Sequence, residues 1–272
     1  MSNLGNRRLE GRVAVVSGGL RGIGLSTVER YVAEGAEVVL TDLDDEGSDA
    51  VKEVLGRIGN SASYLRANVT EEADWQRVAD HVTQRHGKLH ILVNNAGTDL
   101  TGPVETLSME AWRRIMAINV DGVFLGTKHL VPLMAESGKD VKGGSSIINV
   151  SSIMGLVGMN EVSAYNASKG AVRLFTKGIA VEFATKQMPI RANSLHPGFV
   201  FTPLLNAGFQ RWVDSGVAEK PEDLVAMVAG NTPIGRLAQP EEIASAAFFL
   251  ASEDSSYMTG SEIVVDGGYT AQ

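Results

Sequence analysis

Tyr165 and Lys169 stand four residues apart in Tyr165-Asn166-Ala167-Ser168-Lys169, a spacing that puts both side chains on one face of a helix. A free phenol ionises near pH 10 and is a poor base in neutral water, but a neighbouring ammonium stabilises the phenolate and lowers that value. Such a pair can take a proton from an alcohol or return one to a ketone. The pattern is common in ordinary chains, and a pair on a helix surface is its plain alternative. A second constellation lies near the start, where Ser17-Gly18-Gly19-Leu20-Arg21-Gly22-Ile23-Gly24 links an apolar run to a helical one. Gly18 allows a tight turn, Gly22 lets backbone approach a pyrophosphate, and Gly24 permits close packing of helix on sheet. The diphosphate would then sit on the positive end of the helix. Asp42 ends the next apolar run, where a carboxylate accepts from ribose hydroxyls and repels a 2′-phosphate, so NAD(H) is expected rather than NADP. Arg21 argues the other way, because a guanidinium beside the glycines can meet that phosphate. Asp44 and Asp45 return the charge balance to NAD.

These groups can meet only if the elements that carry them end at one place. Short apolar runs alternate with segments of helical period along the chain. The runs are Val13 to Val16, Val38 to Thr41, Tyr64 to Asn68, Ile91 to Val93, Ile147 to Val150, Ile190 to Leu195 and Glu262 to Val265. The helical segments are Gly22 to Glu34, Glu46 to Ile58, Glu71 to His86, Ser108 to Met134, Val162 to Thr185 and Glu241 to Leu250. Strands apolar on both faces belong in a parallel sheet covered by helices on each side. The expected fold is therefore α/β: a Rossmann-type doubly wound sheet of seven parallel strands, in a single dinucleotide-binding catalytic domain over residues 1–272. The stretch from about 202 to 239 breaks the rhythm with Phe201, Leu204, Leu205, Phe209 and Trp212 among polar residues, and reads as a helical lid.

Composition narrows the function classes. The 272 residues carry 24 Lys plus Arg against 32 Asp plus Glu, a net charge of −8 with no basic run, which disfavours nucleic acid as a partner. The absence of cysteine removes disulfides, cysteine metal sites and thiol catalysis together. With 44% apolar and 21% charged residues a packed core is expected rather than disorder. No segment reads as a signal peptide or a membrane span, so a cytoplasmic protein with no membrane partner is expected. Glycine, at 30 residues, is in excess and clusters at the motifs.

Three further features join the phenol and the ammonium. Ser151-Ser152 ends one strand 13 residues before Tyr165, Asn94-Asn95-Ala96-Gly97 ends another, and Asn119 lies in the long helix between them. With these in order, the sequence resembles the short-chain dehydrogenase/reductase family nearly end to end, from about Arg12 to Asp266-Gly267-Gly268. By that resemblance Tyr165 is the general acid/base, and Lys169 lowers its pKa and binds the nicotinamide ribose. Ser152, selected over Ser151 by its spacing to Tyr165, holds the substrate oxygen. Asn119 holds a water that leads from Lys169 to a proton path. Asn95, Ala96 and Gly97 pack on the adenosine side, while Pro197-Gly198-Phe199-Val200-Phe201-Thr202 holds the nicotinamide carboxamide through Val200 backbone and the Thr202 hydroxyl. Asn68, followed by Val69, stands where the family commonly has an aspartate for the adenine amino group; its amide oxygen can still accept.

Within the family, Glu110-Ala111-Trp112-Arg113-Arg114, the run Asn119 to Thr127 and the ending Gly267-Gly268-Tyr269-Thr270-Ala271-Gln272 resemble R-specific secondary alcohol dehydrogenases. That resemblance implies a homotetramer and a structural magnesium near Gln272 at a subunit interface. It also marks Asp42 as a departure, because better-known members of the group prefer NADP. Met154, Met159, Val162, Phe199, Leu204 and Leu205 give an apolar lining suited to a small hydrophobic alcohol or ketone, with Asp99 and Glu161 as possible polar contacts. The expected activity is an NAD(H)-dependent secondary alcohol dehydrogenase or ketone reductase. A hydroxysteroid or cyclic-alcohol dehydrogenase would differ only in lid and lining. A non-catalytic dinucleotide sensor would need the glycine turn but not the Ser152 to Tyr165 spacing. The five histidines form no His-Glu-x-x-His pattern, and His196 reads as a structural residue.

Overall fold

Alternating side chains on the first strand divide the interior in two. In the computed structural model, which describes residues 7–272, β1 (Val13–Ser17) sends Ala14 and Val16 to one face and Val13 and Val15 to the other, all buried. Six parallel strands join it: β2 (Glu37–Asp42), β3 (Ala62–Arg66), β4 (Ile91–Asn94), β5 (Ser145–Val150), β6 (Ile190–Pro197) and β7 (Glu262–Val265). The spatial order is β3-β2-β1-β4-β5-β6-β7. The order reverses between β1 and β4, which opens a crevice at their carboxyl ends, where open α/β sheets bind ligands.

Two helical layers cover the sheet. α1 (Gly22–Ala33), α2 (Asp49–Ile58) and α9 (Pro240–Ala251) pack Val28, Tyr31, Val51, Ile243 and Phe248 on one face. The Tyr31 hydroxyl, fully buried, donates to the Ala247 carbonyl at 3.0 Å and ties α1 to α9. On the other face α3 (Glu72–His86), α5 (Gly122–Ser137) and α6 (Ser163–Thr185) bury Trp75, Val78, Leu130, Met134, Ile179 and Phe183. The expected doubly wound fold is the observed one.

Local chemistry moves several boundaries. The second helical segment begins at Asp49 rather than Glu46, because Ser48 caps it by accepting from the Val51 amide at 3.3 Å. β3 pairs residues 62 to 66 with 38 to 42, which leaves Asn68 beyond the strand, where its amide turns to the Asp74 carboxylate at 2.7 Å. The expected helix Ser108 to Met134 is interrupted. Ser108 caps α4 (Met109–Met116), a π turn spans Ala117–Asp121, and α5 follows. A hydrophobic period reads through such a bulge, and π turns are frequent at functional sites. This one holds Asn119, only 1% exposed, in the interior.

The stretch expected to form a lid folds as α7 (Pro203–Asp214) and α8 (Pro221–Gly230), each with proline in its first turn. The Thr202 hydroxyl caps α7 by accepting from the Leu205 amide at 3.2 Å. Phe209, Leu224, Val228 and Leu237 form a cluster of their own beneath these helices. Among the described residues no helix is long and apolar enough to cross a membrane.

Candidate active site

The glycine turn is stitched to the end of β4. The buried Ser17 hydroxyl accepts from the backbone amides of Asn95 and Ala96, each at 3.1 Å. Asn95 Nδ2 in return donates to the carbonyls of Ser17 (2.9 Å) and Gly18 (3.0 Å). Gly18 has φ +64°, a left-handed conformation natural to glycine. A Cβ on Gly24 would lie 2.0 Å from the Gly18 carbonyl oxygen, so α1 can begin this close to the turn only with glycine there. The Ser17 hydroxyl thus fixes the glycine turn against the end of β4.

Asp42 is aimed by two backbone donors: the Leu20 amide reaches Oδ2 at 3.2 Å and the Leu43 amide reaches Oδ1 at 2.9 Å. Arg21, the residue that favoured a phosphate, is held by Asp44, with Nη2 to Oδ1 at 2.7 Å. That hydrogen bond raises the guanidinium pKa further. Asn68 and Val69 line the cleft, but Asn68 Oδ1 already accepts from the Thr70 amide (3.1 Å) and hydroxyl (3.0 Å). The oxygen expected to serve an adenine amino group is thus engaged in its own turn.

At the other end, Ser151 donates through Oγ to the Lys169 carbonyl at 2.9 Å, the supporting role expected of it. Ser152 follows, and its Oγ accepts from the Met154 amide at 3.1 Å. His196, buried, places Nδ1 2.9 Å from the Ser152 carbonyl and Nε2 2.8 Å from the Ser194 hydroxyl. A carbonyl only accepts, so Nδ1 carries the proton, and burial holds the ring's pKa low. His196 is therefore a satisfied structural residue behind Ser152.

Lys169 Nζ donates to the Val150 carbonyl at 2.9 Å and sits 5.7 Å from the centroid of the Tyr165 ring. Burial pulls its pKa down to about 8. Tyr165 is pushed up to about 12, chiefly by burial; a hydrogen bond with Ser152 pulls it back and the charge of Asp99 pushes it further up. The expected lowering of the phenol pKa by Lys169 is reversed. The ammonium faces the ring and is engaged with Val150, so desolvation of the hydroxyl wins.

Asn119 does not line the cleft but staples its wall. Nδ2 donates to the Thr98 carbonyl (2.8 Å) and the Ser168 hydroxyl (3.0 Å), while Oδ1 accepts from the Thr98 amide (2.8 Å). One lone pair of Oδ1 is the capacity left in this side chain for a water.

A single cleft of about 560 Å³ joins the two ends. It is lined by Gly18, Arg21, Gly22, Ile23, Asp42, Asn68, Val69, Asn95, Ala96 and Gly97 on one side and by Ser152, Tyr165 and Lys169 on the other, with Pro197, Gly198, Val200 and Thr202 between them. Gly198 and Val200 are fixed by backbone, through Gly198 N to the Val265 carbonyl (2.9 Å) and a bridge between Val200 and Ala238. Met154, Met159, Val162, Phe199, Leu204 and Leu205 all line the cleft, joined by Phe209 and Trp212. Leu20, Gly24, Asn119 and Gln272 stand outside it: Leu20 is core, Gly24 backs the turn, and Gln272 is at the exposed tail. Thr98, Thr101, Arg114 and Ile118 line it without having been expected. The spacing of Arg114 and Ile118, one turn apart ahead of Asn119, was the available signal; the loop threonines carried none. Asp99 lines the cleft too, with its carboxylate on Arg211 rather than free, and burial raises its pKa against that partner.

The cradle fits a dinucleotide: a glycine-rich turn at a helix N-terminus, a fixed carboxylate one strand away, and a connected apolar chamber. Magnesium is served less well by one chain. Gln272 offers its side-chain amide oxygen, with Nε2 donating to the Asn231 carbonyl at 2.9 Å. Among the described residues no three His, Cys, Asp or Glu side chains cluster for a metal. Magnesium's near-octahedral oxygen shell would need donors from a second copy or water.

Fold and site together define a dinucleotide-dependent oxidoreductase. A family model described as enoyl-(acyl carrier protein) reductase matches residues 18–270. The chain is 40% identical to an NADP-dependent (R)-specific alcohol dehydrogenase of Lentilactobacillus kefiri, over 97% of this chain and 99% of that protein. It is 43% identical to a 3-alpha-(or 20-beta)-hydroxysteroid dehydrogenase of Mycobacterium bovis, over 97% and 91%. The solved structure of ligand-free aldohexose dehydrogenase from Thermoplasma acidophilum superposes with a TM-score of 0.85 at 31% identity, covering 98% of this chain and 97% of that one. The chain belongs to the short-chain dehydrogenase/reductase family, whose enzymes use nicotinamide dinucleotides.

The buried ammonium has a stability signature. Below pH 8 Lys169 is charged in both folded and unfolded chains, and its depressed pKa costs the fold about 3 kcal/mol. That cost shrinks as pH rises from 8 toward the unfolded value, because the folded chain then sheds its proton first. Lys169→Met removes the charge but leaves the Val150 carbonyl without a donor, so a net gain of about 1 to 2 kcal/mol at pH 7 is expected, shrinking toward pH 10. Urea unfolding at several pH values measures it; a variant less stable than wild type at pH 7 contradicts the assignment.

Proposed function

We propose that the protein is an NAD(H)-dependent secondary alcohol dehydrogenase or ketone reductase acting on hydrophobic alcohols and ketones. The observation that carries this reading is one cleft with Ser152, Tyr165 and Lys169 at its apolar end and Asp42 beside the glycine turn at the other. A nicotinamide bound there supplies the hydride on reduction and accepts it on oxidation. Ser152 holds the substrate oxygen, and Tyr165 gives it a proton on reduction or takes one from the alcohol. A phenol that stays protonated in neutral water suits the acid role, and the Lys169 charge beside its ring stabilises the phenolate left behind. Asn119 keeps the wall around Lys169 in place through Thr98 and Ser168.

The choice of NAD rests on charge. Asp42 is fixed by two backbone amides, and the Arg21 guanidinium is paired with Asp44, so a 2′-phosphate would meet two carboxylates and a cation already occupied. The relative from Lentilactobacillus kefiri is NADP-dependent by name, which makes this the sharpest point of divergence. The hydroxysteroid dehydrogenase likeness supports a second substrate class, a steroid or cyclic alcohol, in the same chamber.

Assembly as a homotetramer is part of the proposal. Phe124 on α5 and Leu174 and Val181 on α6 are 49%, 68% and 67% exposed, an apolar face suited to a second copy; the magnesium near Gln272 rests on the resemblance to R-specific alcohol dehydrogenases.

Steady-state assays on aryl, steroid and cyclic ketones should give higher kcat/KM with NADH than with NADPH; the reverse order would remove Asp42 as the selector. Tyr165→Phe should lower kcat by roughly 10² to 10⁴ while NADH affinity stays near wild type. Undiminished turnover in that variant would refute the acid/base assignment. Light scattering should report four copies per particle, and a monomer would refute the assembly.

A further inference from the structure

α7 meets the wall opposite it across the cleft through one charged contact. Arg211 Nη2 lies 2.5 Å from Asp99 Oδ1, and Asp99 sits in the loop that follows β4, its side chain 19% exposed. Among the described residues no other ion pair joins α7 or α8 to the rest of the chain; Lys220 and Asp223, for instance, pair within the start of α8. The second carboxylate oxygen rests against the helix itself. A Cβ at Gly208 would come within 2.8 Å of Asp99 Oδ2, so glycine there is what lets the helix backbone approach the carboxylate.

The neighbour of Arg211 is the lid's contact with the chemistry. Trp212 stacks on Phe209 with ring centroids 6.2 Å apart, and packs on the cluster of Ile153, Met154 and Val162 that also carries Tyr165. Wherever Arg211 is held, the Trp212 indole is held over the reacting end of the cleft. That position is not the one hydrogen bonding alone would choose: Arg211 Nε and Trp212 Nε1 are both buried without a partner. Unmade buried donors are costly, so something else must hold the helix in. The Asp99–Arg211 pair is positioned to do so.

We propose that the Asp99–Arg211 pair is a strap that sets the width of the substrate pocket and so selects the size of ketone or alcohol the enzyme accepts. The proposal rests on the ketone reductase reading above. A narrow ketone fits beneath Trp212 with the strap closed. A broad, multi-ring ketone has to push α7 outward, which separates Arg211 from Asp99 and leaves a carboxylate in the wall without its partner. Arg211 acts through Trp212 and the helix that carries it, so it is a positioning residue.

The experiment compares kcat/KM for acetophenone and for a 20-ketosteroid in wild type, Asp99→Asn, Arg211→Met, Arg211→Lys and the Asp99→Asn/Arg211→Met double variant. Hydrogen exchange of residues 203–214 is measured on the same proteins. The steroid-to-acetophenone ratio should rise about tenfold or more in Asp99→Asn and Arg211→Met, the scale on which pocket contacts discriminate substrates. It should rise no further in the double variant, because one contact is lost in all three, and Arg211→Lys should return it toward wild type. Exchange in α7 should quicken in step. An unchanged ratio with unchanged exchange in Arg211→Met overturns the strap. Quickened exchange in a protein that reduces no ketone with either cofactor supports the strap and overturns the ketone reductase reading instead.

Discussion

The arrangement of the catalytic end turns on one ammonium withdrawn from water. Lys169 is buried on α6, and its Nζ donates to the carbonyl of Val150, the last residue of β5. Its own carbonyl accepts from Ser151 and packs against Gly155, while Gly97 from the end of β4 lies beside its Nζ. The Asn119 staple then ties the loop after β4 to Ser168, next to Lys169 in sequence. A charge withdrawn this far from water is expensive, and a pKa drawn down to about 8 is the measure of that expense. The same placement keeps a cation beside the Tyr165 ring. Groups perturbed at a cost to stability cluster at functional sites, which agrees with the proposed proton transfer here.

The dinucleotide end works by a different device, in which the side chains that hold the glycine turn and Asp42 are hydrogen-bonded to backbone. Four hydrogen bonds join Ser17 and Gly18 at the end of β1 to Asn95 and Ala96 after β4, so the glycine turn is tied in place from the neighbouring strand. Asp42 is likewise aimed by the amides of Leu20 and Leu43. Between a rigid cradle and a rigid acid/base, the lid is the element with its own small core and two unmade donors. In the proposed reading, selectivity for substrate size resides in α7, cofactor geometry at the strand ends, and proton transfer on α6, which carries Tyr165 and Lys169.

Much of this was legible in the sequence because the family's motifs sit at strand ends, and a parallel sheet with a switch point brings those ends together. The seven strands, the glycine turn and Asp42 follow from that rule, while the Ser152, Tyr165 and Lys169 set was read from the family resemblance, and all three line one cleft. Less legible were features decided by single hydrogen bonds. The Asn68 side chain reads as an acceptor for adenine until its turn with Thr70 is seen, and the sequence weighs Asp44 against Arg21 as charge without showing that the two pair directly. The π turn at Asn119 leaves the hydrophobic period intact, so the sequence reads as one helix. The direction of the Tyr165 shift depends on the balance of burial against a cation seated over the ring, which spacing does not disclose. Asp99 and Arg211 are 112 residues apart, and no local pattern pairs them.

The central claim is that the cleft moves a hydride between a nicotinamide and a carbonyl carbon while Tyr165 moves the proton. Reduction of aryl and cyclic ketones with NADH carrying deuterium at both C4 positions, followed by proton NMR of the alcohol, tests it most directly. The account predicts alcohol with deuterium on the carbinol carbon and none from solvent at that position. Alcohol bearing hydrogen there, or no alcohol from any ketone, would contradict it.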